Sequence, residues 1–137
     1  MIVVDTNVIA YLVIEGKQTA MALSVFNIDA EWTAPQLWRS EMRNLLSLYL
    51  RNRQMTIDEA VSAMNRSEAV IAGREYDVNS SRVLELASHS DCTAYDCEFA
   101  YLAEKLTVPL VTADKKLLAA FPDIAVSMEA FSFGAIT

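Results

Sequence analysis

Two short apolar runs each deliver an aspartate at their carboxyl end and give way at once to a helical pattern. Ile2-Val3-Val4 leads directly into Asp5, and Leu110-Val111-Thr112 stands two residues before Asp114. Uninterrupted apolar runs of this length suit strands buried on both faces, as in parallel sheets covered by helices. Strands alternating with helices along the rest of the chain predict an α/β domain, three-layer α/β/α, with a central, mainly parallel sheet. Helices are expected from Asp5 to about Glu15-Gly16, Gln18 to Phe26 and Gln36 to Asn52. Others run from the Thr56-Ile57-Asp58-Glu59 capping box to Ile71 with a stop at Gly73, and from Asn79 to near His89. Thr93 caps a helix over Ala94 to Leu106, and Asp114 starts a short one. Further strands are expected at Glu31 to Ala34, Tyr76 to Val78 at an edge, Val108 to Thr112 and Ile124 to Ser127, with Pro35 opening the helix that follows. No repeat, linker or low-complexity tract marks an internal boundary, so residues 1–137 are read as one domain.

Composition limits the function. The opening run carries Asp5 and Asn7, is too polar and short to span a bilayer, and lacks a basic n-region, so no membrane partner is expected and a cytoplasmic location is the default. A formal net charge of -7 argues against a protein that holds nucleic acid by a broadly positive surface. Arg39, Arg43, Arg51 and Arg53 crowd one segment, however, and are candidates for local phosphate contacts. Arg39, Arg43 and, if the helix reaches that far, Arg53 fall on the helix side opposite Glu41, which makes them candidates for RNA outside the scissile phosphate, a dimer mate or an acidic partner, with solvated surface as the plain alternative. Cys92, Cys97 and the single histidine, His89, lack zinc-site spacing and a fourth ligand, and the cysteines are read as reduced, partly buried thiols.

Four carboxylates carry the chemistry. Asp5 and Asp114 stand at strand ends, the edge where open parallel sheets bind ligands, although each also suits a helix N-cap. Glu41 lies in line with Leu37, Leu45 and Leu48, with Trp38 alongside, a stripe expected to face the core. A buried carboxylate there needs an ion-pair partner, a proton or a metal. Asp96 heads an apolar face made by Phe99, Ala100 and Ala103, and also stands three residues after the Thr93 cap. Four acids converging on one edge repel each other without a cation, and an oxygen-only donor set suits Mg2+ or Mn2+ better than zinc. Such ions can clamp the attacking and leaving oxygens of a phosphodiester.

Val4-Asp5-Thr6-Asn7-Val8-Ile9, Ser40-Glu41-Met42-Arg43-Asn44-Leu45, Tyr95-Asp96-Cys97 and Leu110-Val111-Thr112-Ala113-Asp114 together resemble the four acidic motifs of PIN domains, in order along nearly the whole chain. The likeness is greatest to the VapC-type toxins of bacterial toxin-antitoxin modules. It implies a divalent-metal-dependent endoribonuclease that works as a homodimer and is inhibited by a small antitoxin. Asp5, Glu41, Asp96 and Asp114 would be the catalytic and metal-binding quartet, with Asn7 and Thr112 as supporting polar positions. Cys97 departs from the family pattern, where alanine usually follows the third acid.

Other readings fit less of the chain. A haloacid-dehalogenase-type phosphatase wants a second Asp where Asn7 stands, and a response-regulator receiver wants an acid pair where Val3-Val4 stand. A non-catalytic PIN-like module acting through protein or RNA contacts keeps the fold and is the principal alternative to an enzyme.

Overall fold

The computed structural model describes residues 1–134. Five strands form a sheet in the order β3-β2-β1-β4-β5: β1 (Ile2–Val4), β2 (Trp32–Pro35), β3 (Glu75–Tyr76), β4 (Leu110–Val111) and β5 (Ala125–Val126). Every pairing is parallel, with Val3 opposite Thr33 on one side and opposite Leu110 on the other. The expected mainly parallel sheet is thus wholly parallel. The first three strands step outward from β1, the chain returns, and β4 and β5 step the other way. This reversal puts a crevice between the carboxyl ends of β1 and β4, the point where such sheets bind ligands.

Eight helices surround the sheet in the described residues: α1 (Thr6–Val13), α2 (Thr19–Ile28), α3 (Leu37–Arg51), α4 (Ile57–Ile71), α5 (Ser80–Ser88), α6 (Ala94–Leu106), α7 (Lys115–Ala120) and α8 (Met128–Phe133). Right-handed crossovers place α1 to α4 on one face and α5 and α6 on the other, because the chain reverses its direction across the sheet after β3. The packing agrees: α6 lies on β1, β2 and β4 with α5 behind it, while α4 packs on α1, α3 and β2. β1 is buried throughout, and Trp32, Trp38, Phe99 and Met42 are among the largest side chains in the core.

Local signals set the ends of the helices. Thr56 and Glu59 form the expected reciprocal capping box, and Gly73 follows α4 with φ 77, a conformation that costs glycine little. Helix α6 occupies Ala94–Leu106 as expected, capped by Thr93. Strands are shorter than the apolar runs suggest, β4 being only Leu110–Val111. Pro35 ends β2 and is buried there instead of opening α3. No helix of the described residues is long and apolar enough to cross a membrane.

Helix α3 corrects one expectation. Its core face is Trp38, Met42 and Leu46, spaced four residues apart, whereas Leu37 and Leu45 are partly buried and Leu48 is 44% exposed. Glu41 therefore lies one stripe away from the core face. Arg53 lies beyond the end of α3 with φ 55, so it is not on the helical face shared by Arg39 and Arg43.

The two stripes should respond differently to truncation. Met42→Ala should cost about 2–5 kcal/mol in chemical denaturation, the usual range for emptying a core site. Leu48→Ala should cost no more than about 1 kcal/mol. Equal losses would contradict this helix orientation.

Candidate active site

Asp5 follows β1 and caps α1: its Oδ1 accepts from the backbone N–H of Val8 at 3.1 Å, while its Oδ2 accepts from the Thr112 hydroxyl. Thr112, fully buried just beyond β4, also accepts from the backbone N–H of Asp114 at 3.0 Å. One threonine thus ties together the aspartates that follow the two central strands. Asp114 caps α7, its Oδ1 accepting from the backbone N–H groups of Lys116 at 2.7 Å and Leu117 at 3.2 Å. For both aspartates the capping alternative is correct, and each cap uses only one of the two carboxylate oxygens.

Glu41 projects from α3, and its Oε1 accepts from the Thr6 hydroxyl at 2.7 Å. Asp96 lies in the first turn of α6, where its backbone N–H donates to the Thr93 hydroxyl at 3.1 Å. Its carboxylate accepts no hydrogen bond among the described residues. All four acids, with Asn7, Asn44, Leu45, Leu48 and Phe99, line one cavity of about 230 Å³ at the sheet's carboxyl edge. The Leu45–Leu48 stripe thus faces this cavity. A larger groove, of about 740 Å³, runs between the end of α1 and the start of α4, but no acid of the quartet lines it, so the chemistry assigns the smaller cavity.

No Lys or Arg pairs with any of these four acids among the described residues. The ion-pair alternative for Glu41 is therefore absent there. Burial pushes the Asp5 carboxyl up to about 6 against the opposing effect of the Thr112 and Val8 hydrogen bonds, and the charges of Asp114 and Glu41 push it the same way as burial. Burial likewise raises Glu41, the Thr6 hydroxyl lowers it, and Asp96 and Glu98 raise it further. Near the same cavity, burial first, then Asp5 and Tyr49, hold the Tyr11 hydroxyl above its ordinary value.

The donor set tests whether a metal fits. Its atoms are hard carboxylate oxygens, the kind Mg2+ and Mn2+ prefer. Among the described residues, however, no group of three or more His, Cys, Asp or Glu is placed to hold an ion. An ion that takes one or two carboxylates directly and keeps several waters suits such a spread site, and Mg2+ behaves this way. Cys92 and Cys97 are free and buried, and His89 is exposed.

Asn7 is exposed at the cavity. Arg39 is committed internally: its guanidinium pairs with Glu68 and, at 2.7 Å, with Glu75, and lies 5.5 Å from the Trp38 ring centre. Arg43 is exposed. Sequence reasoning missed Thr6, although its place directly after Asp5, in the first turn of α1, was a usable signal.

A family model described as the PIN domain matches residues 2–123. The chain belongs to the PIN domain family, whose members are generally nucleases that use divalent metals. No curated protein matches the sequence. The structure is similar to PAE2754 from Pyrobaculum aerophilum, with a TM-score of 0.73 and 22% identity over 99% of this chain and 97% of that one. It is also similar to FitAcB from Neisseria gonorrhoeae, with a TM-score of 0.71 and 18% identity over 93% and 96% of the two chains. FitAB bound to an IR36 DNA fragment matches with a TM-score of 0.68 and 18% identity over 93% and 95%. At these identities the likeness speaks for the fold.

Asp5 makes a pH-dependent contribution that can be measured. Its folded pKa of about 6 exceeds the ordinary 3.8, so the folded state holds the proton more tightly than the unfolded one. The resulting stability is full below the ordinary value and is lost as pH rises through about 6. In EDTA, wild type should therefore lose on the order of 3 kcal/mol from this group as the pH rises from below its ordinary value to slightly alkaline, about half of it above mildly acidic pH. Asp5→Asn keeps a good capping residue and cannot ionise, so its urea-denaturation profile should be flatter over the same range. Identical slopes would refute the assignment.

Proposed function

We propose that the chain, taken over 1–137 as one nuclease domain, is a Mg2+- or Mn2+-dependent endoribonuclease and the toxin of a toxin-antitoxin pair. Asp5, Glu41, Asp96 and Asp114 are its catalytic and metal-binding residues. One observation carries the reading: four carboxylates line a single cavity at the switch point of the sheet, and no cationic side chain of the described residues neutralises them. Asp5 is buried and the other three acids are partly buried, and carboxylates that repel one another at such a site are costly unless a ligand uses them.

The chain's own groups arrange the site. Thr112 orients Asp5 and the Asp114 backbone, Thr6 orients Glu41, and Asn7 lies at the mouth of the cavity, where an amide can hydrogen-bond a phosphate or sugar oxygen. Asp5, Glu41, Asp96 and Asp114 would hold the cation between them. A bound divalent ion supplies charge neutralisation at the transferring phosphate and a water more acidic than bulk. No side-chain nucleophile is called for: Cys97 is buried, and burial raises its thiol pKa. The RNA-ribonuclease reading, a homodimer, a small antitoxin and a cytoplasmic setting come from the VapC resemblance. Arg43 is the residue proposed for RNA or partner contact, since it is exposed and Arg39 is tied to Glu68 and Glu75. The rival reading, a non-catalytic module, draws on the spread of the acids and predicts no cleavage.

Purified protein incubated with total RNA and with tRNA should generate new ends with Mg2+ or Mn2+ and none with EDTA. Unchanged RNA under every metal condition would favour the module. Melting temperature isolates the quartet from substrate choice. Wild type should gain about 2.7 kcal/mol at a metal concentration 100 times the dissociation constant. Glu41→Gln should melt at least as high as wild type in EDTA and gain little from metal. A full metal response in Glu41→Gln would remove Glu41 from the site.

A further inference from the structure

Beside the carboxylate cavity lies a second one of about 260 Å³, and the two share Asn7 and Leu45 as lining residues. Two tyrosines from different helices line the second cavity, Tyr11 of α1 and Tyr49 of α3, both half-buried, with Lys17 at its rim beside Glu15. Neither tyrosine hydroxyl has a hydrogen-bond partner among the described residues, and neither ring is packed against another aromatic ring there. Tyr11 packs partly against the core, and a half-buried tyrosine leaves part of its ring and its hydroxyl open to a ligand. The two are neighbours of each other and of the site, since Tyr11 lies within electrostatic reach of both Asp5 and Tyr49.

We propose that this cavity is a nucleobase subsite: Tyr11 and Tyr49 receive one unstacked base of a single-stranded RNA whose adjoining phosphate lies over the carboxylates. The inference rests on the ribonuclease reading and deepens it. Charge supports it. A chain of net charge -7, with four acids at its site, repels a polyanion and gains little from counterion release. Binding energy must come from elsewhere, and stacking of a base on an aromatic side chain contributes without regard to net charge. Lys17 is the single basic residue lining the second cavity, enough for one phosphate contact and too little for a backbone-tracking groove. Leu45, shared by both cavities, supplies an apolar wall on the path from base to carboxylates. The subsite therefore favours unpaired RNA, because a base held in a duplex cannot be splayed into it.

The test uses the full wild-type chain with Ca2+, another hard oxygen-binding cation, in place of Mg2+, and a ten-nucleotide oligoribonucleotide with 2-aminopurine at each position in turn, shown by gel to remain intact. At one position, binding should quench or shift the 2-aminopurine emission, and replacing that base with an abasic site should weaken affinity about tenfold. Tyr49→Ala and Tyr11→Leu should each cost about fivefold to tenfold in affinity, while Tyr49→Phe retains it, and melting curves confirm that each variant is folded. Affinity that is indifferent to base removal, or unaltered in folded Tyr49→Ala and Tyr11→Leu, overturns the subsite. Metal-dependent cleavage by wild type, measured separately, distinguishes the two failures. Cleavage without a tyrosine effect refutes the subsite alone, whereas neither cleavage nor binding refutes the ribonuclease reading with it.

Discussion

The hydrogen bond from Thr112 to Asp5 joins the two strands whose divergence creates the site. β1 and β4 are neighbours in the sheet although more than a hundred residues separate them in sequence. The bond fixes one oxygen of a buried carboxylate at the floor of the cavity, while the Val8 N–H fixes the other through the start of α1. Thr112 then orders the loop to Asp114 through a second hydrogen bond, so the fourth acid inherits its place from the first. Without these bonds, the ionised form of a carboxyl as buried as Asp5 would be disfavoured further.

The parts of this architecture legible in the sequence were those governed by local physics. Helix α6 is recoverable because Thr93 supplies a side-chain acceptor and Phe99, Ala100 and Ala103 repeat at helical spacing. The Thr56–Glu59 box fixes the start of α4 in the same way. The strands were less legible at their ends: apolar character extends beyond the two residues of β4 that pair, because flanking positions are buried without joining the ladder. Helix α8 left a weaker trace, a Ser127 cap followed by six residues. On α3 the leucine stripe suggested one buried face, but the core took the adjacent stripe of Trp38, Met42 and Leu46 and left Leu45 and Leu48 to line the cavity with Glu41. Periodicity identifies a helix and its apolar side more readily than it decides between two adjacent stripes.

Among the site residues, Asp5 and Asp114 could be inferred from strand ends alone, and Glu41 and Asp96 needed the company of the others. The position of Thr6 beside Asp5 was legible but its bond to Glu41 was not, and neither was the fate of Arg39, since each depends on a partner distant in sequence: Glu41 for the first, Glu68 and Glu75 for the second. Arg39 locks α3 to α4 and β3 two residues before Glu41, so a charge expected to face outward helps hold the helix that presents an acid inward.

Both strand-end aspartates divide their labour by atom, one oxygen closing a helix and the other left to Thr112 or to the cavity. Asparagine caps helices about as well as aspartate. A single base change in such a codon, from Asp to Asn, can thus remove the charge while leaving the helix start intact. In this scaffold the loss of chemistry and the loss of fold are separable events in evolution. A lineage released from the need to cleave can keep the architecture at little structural cost and put the same surface to another use.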